Sequence, residues 1–541
     1  MRCKPKTGPD TPSLPAVLAQ LVSRFHNERM AIASEQLARQ IEVFLETAPE
    51  AVLVEGGEVL FRLREAKYEL RPERMHCVLQ VWSEERNIVR RVLETELRND
   101  HLRLIVQRFG QSKPTIMELV PREERHGSAK RLSRAAYKSI LRRALERQFP
   151  GWILESLSYA ADLEHSFGPV HVRGLMRRGT TVMAVVGVSA NETQASVDAA
   201  LTTGILWLQQ ERERLAAKRH VEGLRLVVPA RRSDVLRLRM AHLNRDMAGW
   251  ELFELDHQSE GLESRTVADA GNIETRLVRL PDETRARERF RDAIARVRAI
   301  EPSAEVIVRS AAEISFQICG LEFARVRVSQ EPGLRFGQRL TFGSGENETP
   351  LNDSTEPMLR GAVARLREVR AGQDRTDELY RMQPERWLES IVRQHAEMLD
   401  ERIDARWVYS QVPAFAAGDR GMIDLLTVTR DGRLVVVELK AQEDLHLPLQ
   451  GLDYWARVRW HHERKEFQKF GYFAGCELSE RPPILLLVSP ALHLHPATDT
   501  LLRHLHPEIE WKVLGIDERW RWGVRVLFRK SREEGKVVTR G

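Results

Sequence analysis

The sequence predicts a mixed α+β chain of several domains, part of it doubled, and three observations carry that expectation. The 541 residues are too many for one core and suggest three or four domains. Short apolar runs of strand length are interleaved with longer stretches of helical period. Landmarks of one half also recur in the other at nearly constant spacing.

Composition narrows the function classes. With 42% hydrophobic and 30% charged residues the chain reads as globular rather than disordered. No uninterrupted apolar run approaches the ~18 residues of a membrane span, so no membrane association is expected. The N-terminus, with Pro5, Pro9, Pro12 and Pro15 and only a short apolar stretch, makes a poor signal peptide. Cys3, Cys77, Cys319 and Cys476 lie far apart and suit reduced thiols of a cytoplasmic protein. A net charge of +6 and a pI near 9.2 permit nucleic-acid binding without demonstrating it.

Taken in order, residues 1–20 read as a flexible, proline-bearing arm. Residues 21–125 read as a small α+β domain, with a helix over 33–46 and strands at 51–54, 59–63, 77–82 and 102–109. The next domain, 126–257, opens on a helix over 127–149 whose Arg131, Arg134, Lys138 and Arg142 recur at helical spacing as one basic stripe. It continues with a helix over 196–214 and strands at 224–228 and 250–255. Residues 258–284 are polar and irregular, the composition of a linker. A second small α+β domain follows over 285–375, then a domain over 376–530 and a tail at 531–541.

The doubling rests on intervals. Gly168 and Gly179 are 11 apart, as are Gly421 and Gly432; Pro229 and Trp250 are 21 apart, as are Pro490 and Trp511. Upstream, P-E-A-V-L-V from Pro49 echoes P-S-A-E-V-I-V from Pro302. The glycine interval sets His171 opposite Asp424. Matching V-G-V-S-A to V-E-L-K-A sets Gly187 opposite Glu438 and Ser189 opposite Lys440. On this alignment the first copy keeps the frame and loses the charges.

Those charges lie in the stretch Gly421 to Tyr454. It reads G-M-I-D-L-L-T-V-T-R-D-G-R-L-V-V-V-E-L-K and, further on, Q-G-L-D-Y. Two apolar runs joined at Asp431-Gly432 form a hairpin pattern. Alternation puts Val436, Glu438 and Lys440 on one face and Val437 and Leu439 on the other. An acid-lysine cluster at the end of an apolar hairpin needs partners or a metal, because unpaired buried charge is costly. Gln450, Tyr454 and Arg457 share one face of the following helix.

Asp424, the E-L-K of Glu438-Leu439-Lys440 and the Q-x-x-x-Y of Gln450 to Tyr454 resemble the PD-(D/E)xK nuclease superfamily, in its NucS-like and RecB-like forms. The resemblance runs from about Pro384 to Asp517, with Ile423 where the motif's name has proline. It implies a restriction-endonuclease-like mixed sheet at 376–530, a degenerate copy at 126–257, and Mg²⁺- or Mn²⁺-dependent cleavage of nucleic acid, taken as DNA. Mg²⁺ prefers oxygen and retains waters, so Asp424, Glu438 and the Leu439 carbonyl suffice as its ligands. Lys440 would orient or stabilise the attacking hydroxide. Gln450 and Tyr454 would align substrate, and Glu389, or Glu385, would join from the preceding helix. Arg420, Arg457 and the Arg131–Arg142 stripe are the candidate phosphate contacts. The paired histidines (His461-His462, His493 with His495, His504 with His506) lack zinc-site spacing. No G-x-x-x-x-G-K-[ST] is present, which argues against an intrinsic ATPase.

Overall fold

The computed structural model describes residues 34–540 apart from 49, 56–57, 65, 74–75, 83–86, 99–100, 109–113, 122, 163–165, 217, 268–274, 330–336, 344–347, 373–374, 417–418 and 534–535. Side chains are described apart also from 58–59, 87, 98, 108, 123–133, 414–421 and 533–540. The expected arm at 1–20 lies outside the described residues. The chain divides into two compact units, Met1–Ser133 with Ser344–Glu348, and Arg134–Gly343 with Thr349–Gly541.

In the first unit, helix α1 (34–47) precedes seven strands. These are β1 (Val52–Glu55), β2 (Glu58–Arg62), β3 (Lys67–Pro72), β4 (Cys77–Trp82), β5 (Asn87–Arg98), β6 (His101–Arg108) and β7 (Thr115–Val120). They pair in the order β2-β1-β7-β6-β5-β4-β3, antiparallel throughout. Ile41, Phe44 and Leu45 of α1, one turn apart on one face, share a core with Leu53, Leu79, Val92, Leu104 and Met117. Strands β3, β5 and β7 escape the sequence reading. K-Y-E-L-R-P and N-I-V-R-R-V-L-E-T-E-L-R carry too many charges to stand out as apolar runs, and a bulge at Val92/Glu94 breaks the alternation of β5.

Helix α2 (Glu123–Gln148) leads into the second unit. There a first mixed sheet comprises β8 (Ile153–Ser158), β9 (Val172–Arg178), β10 (Thr181–Gly187), β11 (His220–Pro229), β12 (Gly249–Leu255) and β13 (Leu262–Arg265). Helices α3 (Gln194–Asp198) and α4 (Ala200–Leu215) link β10 to β11, and α5 (Asp234–Ala241) links β11 to β12. The stretch expected as linker is partly knitted in. β13 closes one edge of this sheet, and β14 (Arg276–Leu277) pairs with a strand of the last sheet.

Helices α6 (Glu283–Arg289) and α7 (Arg291–Ile300) precede a five-stranded antiparallel sheet, β15 (Glu305–Ser310), β16 (Glu313–Ile318), β17 (Leu321–Val328), β18 (Gln338–Phe342) and β19 (Thr349–Pro350). Helix α8 (Glu356–Ala371) packs Leu359 and Val363 into its core beside Phe316 and Val326. The two small sheets share a helix followed by a hairpin and differ in strand number and order. The β16–β17 turn, Cys319-Gly320, has φ of +47° and +74°. It presses on the start of a later helix: a Cβ at Gly320 would lie 2.2 Å from the Arg386 carbonyl oxygen, so only glycine fits.

After α9 (Glu378–Arg381) and α10 (Pro384–Gln394) comes the second mixed sheet: β20 (Ile403–Ala416), β21 (Asp419–Thr429), β22 (Leu434–Leu439), β23 (Ile484–Pro490), β24 (Trp511–Ile516), β25 (Val526–Glu533) and β26 (Lys536–Arg540). Helix α11 (Leu447–Glu463) and the short α12 (Glu466–Lys469) link β22 to β23, and α13 (Thr498–Arg503) links β23 to β24. The tail expected after 530 is sheet instead, because K-V-V-T-R pairs with β25 as an edge strand.

The two mixed sheets have one topology. In each, two antiparallel steps (β8-β9-β10; β20-β21-β22) lead to two parallel ones (β10-β11-β12; β22-β23-β24) and then to an antiparallel edge. Alternation along β22 works as expected. Leu434 and Val436 face α11, while Val435, Val437 and Leu439 face α10. The α4 and α11 layers meet in one shared core that includes Val186, Leu208, Val436, Trp455 and Trp511.

Among the described residues one ion pair crosses that layer. Arg239 of α5 donates from Nε and Nη2 to Asp453 of α11 at 3.0 and 2.8 Å, and from Nη1 to the Asp198 carbonyl at 2.6 Å. Both side chains are about nine-tenths buried. Asp453→Ala should lower stability by about 3–5 kcal/mol, since it strands a buried guanidinium. The Arg239→Met/Asp453→Leu double variant should recover most of the loss. Urea unfolding followed by tryptophan fluorescence measures both, and equal stability of Asp453→Ala and wild type would refute the role.

Candidate active site

The cleft at the ends of β21 and β22 has a volume of about 470 Å³. It is lined by Gln383, Glu385, Arg386, Glu389, Gln411, Met422, Asp424, Glu438, Lys440, Gln450 and Tyr454, with Pro384 at its rim. Asp424, Glu438, Lys440, Gln450, Tyr454 and Glu389 are therefore brought together from four elements, α10, β21, the end of β22 and α11.

Each arrives for a local reason. Asp424 lies on β21 beside the end of β22, and its Oδ2 accepts from the Leu439 N–H at 2.9 Å. The N–H and C=O of one strand residue point to the same edge, so the Leu439 carbonyl also faces this gap. Glu438 and Lys440 follow the inward face of β22, with Lys440 Nζ 3.3 Å from Glu438 Oε1 and 3.8 Å from Asp444 Oδ2. Gln450 and Tyr454 are one turn apart on α11, with Gln450 Nε2 3.5 Å from the Tyr454 hydroxyl. Glu385 and Glu389 are one turn apart on α10, whose N-terminus is set by Pro384.

The cleft holds four carboxylates against two cations, a formal deficit of two when all are ionised. Burial pushes Glu438 well above the ordinary carboxylate range, and the neighbouring Asp424 adds to this against the pull of Lys440. Burial also raises Asp424, opposed by the Leu439 N–H and Lys440. Glu389 is pushed up to about 7, chiefly by burial and against Arg386, and burial raises Glu385 too. For Lys440 burial works downward, but Glu438, Glu385, Asp444 and Asp424 outweigh it and hold the ammonium charged. Burial and Glu438 lift the Tyr454 phenol to about 12, so it stays protonated.

Among the described residues no N–H or O–H donor reaches the buried Glu438 Oε2, and the Glu438 carboxyl lies within hydrogen-bonding reach of Asp424, a costly arrangement for two ionised carboxylates. Among the described residues no three His, Cys, Asp or Glu side chains converge as a metal cage. The donor set instead fits a hard divalent ion held by two carboxylates and a carbonyl, with water completing the shell. Asp424, Glu438 and the Leu439 carbonyl are the groups that would hold it.

Other candidates fall elsewhere. Arg457 is buried, with its guanidinium 6.0 Å from the Tyr454 ring centroid, so it supports α11 from within and is not an exposed phosphate contact. The helical spacing was right, but the face turns inward. On α2, Arg134 stands over the Tyr159 ring and Arg142 lies 3.9 Å from Glu146; with Lys138 they do not line the cleft. The side chains of Arg131 and Arg420 lie outside the described residues. The paired histidines engage different partners. His461 bonds Thr275 and Glu466, His462 the Ser479 carbonyl, and His504 the Thr500 carbonyl.

The sequence reading missed Arg386 and Gln411. Arg386 Nη1 is 3.2 Å from Glu389 Oε2, and Gln411 Nε2 donates to the same oxygen. Gln411 has a left-handed backbone, φ +53°, at a place where no β20–β21 pair forms between Ser410↔Leu425 and Val412↔Ile423. That conformation costs roughly 1–2 kcal/mol for a residue with a Cβ, and here it turns a strand side chain toward the carboxylates. Nothing in S-Q-V-P marks such a kink in advance. Compared with models of known protein families and with curated proteins, the chain finds no match.

Proposed function

We propose that the chain is a metal-dependent nuclease that hydrolyses phosphodiester bonds of DNA at the cleft between α10, α11 and the end of β22. The observation that carries this reading is the excess of carboxylates over cations lining the cleft, four against two, with Lys440 beside the buried Glu438 and no donor among the described residues to Glu438 Oε2. A structural ion pair needs no such excess, whereas a site for a divalent cation and a phosphate does.

Asp424, Glu438 and the Leu439 carbonyl would hold Mg²⁺ or Mn²⁺. Bound there, the ion would neutralise charge on the phosphodiester and lower the pKa of a bound water. The chain's own groups divide the remaining work. Lys440, kept cationic by its acidic neighbours, faces the phosphoryl oxygens on which negative charge accumulates. Glu389, poised about 7, can accept or release a proton near neutrality, and Gln411 and Arg386 fix its carboxyl group. The Tyr454 hydroxyl accepts from Gln450 Nε2 and, protonated throughout the working range, keeps its own proton to donate to substrate.

Single-stranded, duplex and branched DNA, with ribo counterparts, incubated with Mg²⁺ or Mn²⁺ give the direct assay. Glu438→Gln and Lys440→Ala should each lower the cleavage rate by about 100-fold or more. Salt-dependent binding with no cleavage of any substrate would instead make the chain a binding or scaffold protein. Cleavage confined to the ribo forms would move its substrate to RNA.

Glu389 also sets a pH dependence. Its folded value, about 7, lies above that of an unfolded glutamate, so the folded chain binds the extra proton between about pH 4.5 and 7. Its stabilising contribution is complete at the acid end of that window and is lost as pH rises through 7. Without metal, the unfolding temperature should fall across this window, and Glu389→Gln should flatten the fall. Bound cation competes with these protons, so the rise in unfolding temperature on adding Mg²⁺ should be larger at pH 8 than at pH 6. Differential scanning fluorimetry at the two pH values checks this, and an equal rise at both would contradict it.

A further inference from the structure

The strand registers define which residues of the first mixed sheet correspond to the site. Leu224 pairs with Trp250 as Leu485 pairs with Trp511, and Val186 pairs with Leu226 as Glu438 pairs with Leu487. The Val188 N–H donates to the Val227 carbonyl as the Lys440 N–H donates to the Val488 carbonyl. Gly174 pairs with Val185 as Leu425 pairs with Val437, which places Arg173 at the position of Asp424. Val186, Val188 and Arg173 thus occupy the places of Glu438, Lys440 and Asp424. The glycine interval, which sets His171 opposite Asp424, is off by two residues, and the V-G-V-S-A match, which sets Gly187 and Ser189 opposite Glu438 and Lys440, is off by one; the hairpin of the second sheet is one residue longer than that of the first.

The first position is closed as well as altered. Arg173 is buried, its guanidinium 4.4 Å from the Phe167 ring centroid and 5.7 Å from that of Trp207, and it bonds the Gly168 and Ala160 carbonyls. A fixed cation where Asp424 would stand repels a divalent ion, and the two valines offer it no oxygen. His171 nearby is pinned between the Ser196 carbonyl and the Thr203 hydroxyl.

The two sheets are also joined as two subunits would be. Leu243 and Leu505, following the helices after β11 and β23 respectively, form an antiparallel bridge. Around it the Asn244 N–H donates to the His504 carbonyl and the His506 N–H to the His242 carbonyl, both at 2.8 Å. Helix α5 packs on α11 as α13 packs on α4. Equivalent groups exchanging equivalent contacts is the signature of a two-fold, isologous interface.

We infer that the chain is a built-in pseudo-dimer with one working site, and that it therefore breaks one phosphodiester bond per encounter, nicking a duplex rather than severing it. The inference rests on the nuclease reading above. In the step, water's oxygen joins phosphorus, the bond from phosphorus to one sugar oxygen breaks, and that oxygen leaves as a hydroxyl with one of water's protons. The opposite strand finds no second site, because the corresponding Arg173, Val186 and Val188 are buried and supply neither carboxylate nor free lysine. The face by which a second copy could pair in the same way is already filled from within the chain.

Supercoiled plasmid and a single-stranded DNA circle, each in excess over the full chain with Mg²⁺ or Mn²⁺, test the inference. Open circles should accumulate before any linear duplex. Adding a several-fold excess of Glu438→Gln chain should leave the rate per wild-type chain unchanged, on whichever DNA is cut. Linear duplex formed from the start, or a rate per wild-type chain that falls as inactive chain is added, would overturn the single-site inference and leave the nuclease reading standing. No cleavage of either circle would remove the nuclease reading and this inference with it.

Discussion

Carboxylates taken out of water lose their solvation and repel one another, and the cleft at the end of β22 gathers four of them. Much of the surrounding architecture can be understood as what holds that arrangement in place. Lys440 answers Glu438, the Leu439 N–H answers Asp424, and Arg386 with Gln411 answers Glu389. None of these partners could be held by a loop alone. They stand on two strands and a helix whose apolar faces are sealed, on one side by Trp387, Leu388 and Val392 and on the other by Leu452 and Trp455. Rigid support of this kind lets a folded chain keep groups whose proximity is unfavourable, and such groups are the ones available for chemistry.

The first mixed sheet makes the same point by contrast. Its six strands match β20 to β25 of the second sheet in order and direction, yet Val186 and Val188 complete an apolar core where Glu438 and Lys440 stand in the other. The fold is indifferent to what lies at those positions, so the charges in the second sheet are not demanded by packing.

Legibility from sequence followed the range of the forces involved. The β21–β22 hairpin was plain, because apolar alternation and the Asp431-Gly432 turn are local. The inward face of Val436, Glu438 and Lys440 followed from the same alternation. Glu389 was reachable because α10 carries a clear helical pattern behind Pro384. Gln411 and Arg386 were not, since their importance lies in meeting Glu389 across the fold and one of them depends on a left-handed residue within a strand. Arg457 shows the opposite failure: helical spacing located its face, but only the packing of α11 decides that the face is interior. Strands such as β3 and β5 were hidden because their sheet leaves one side polar, and pairing partners rather than apolar density define them.

The Cys319-Gly320 turn, wedged on the backbone of Arg386, has a mechanical meaning. The five-stranded sheet bears on the first turn of α10, and further ties run from Arg370 to the Cys319 and Met382 carbonyls and from Arg393 to Glu305. A load applied to that sheet is transmitted to the helix that positions Glu385 and Glu389, because no soft side chain lies between to absorb it. The small domain thus braces the helix that carries two of the four acids, and their spacing is tied to where that sheet sits.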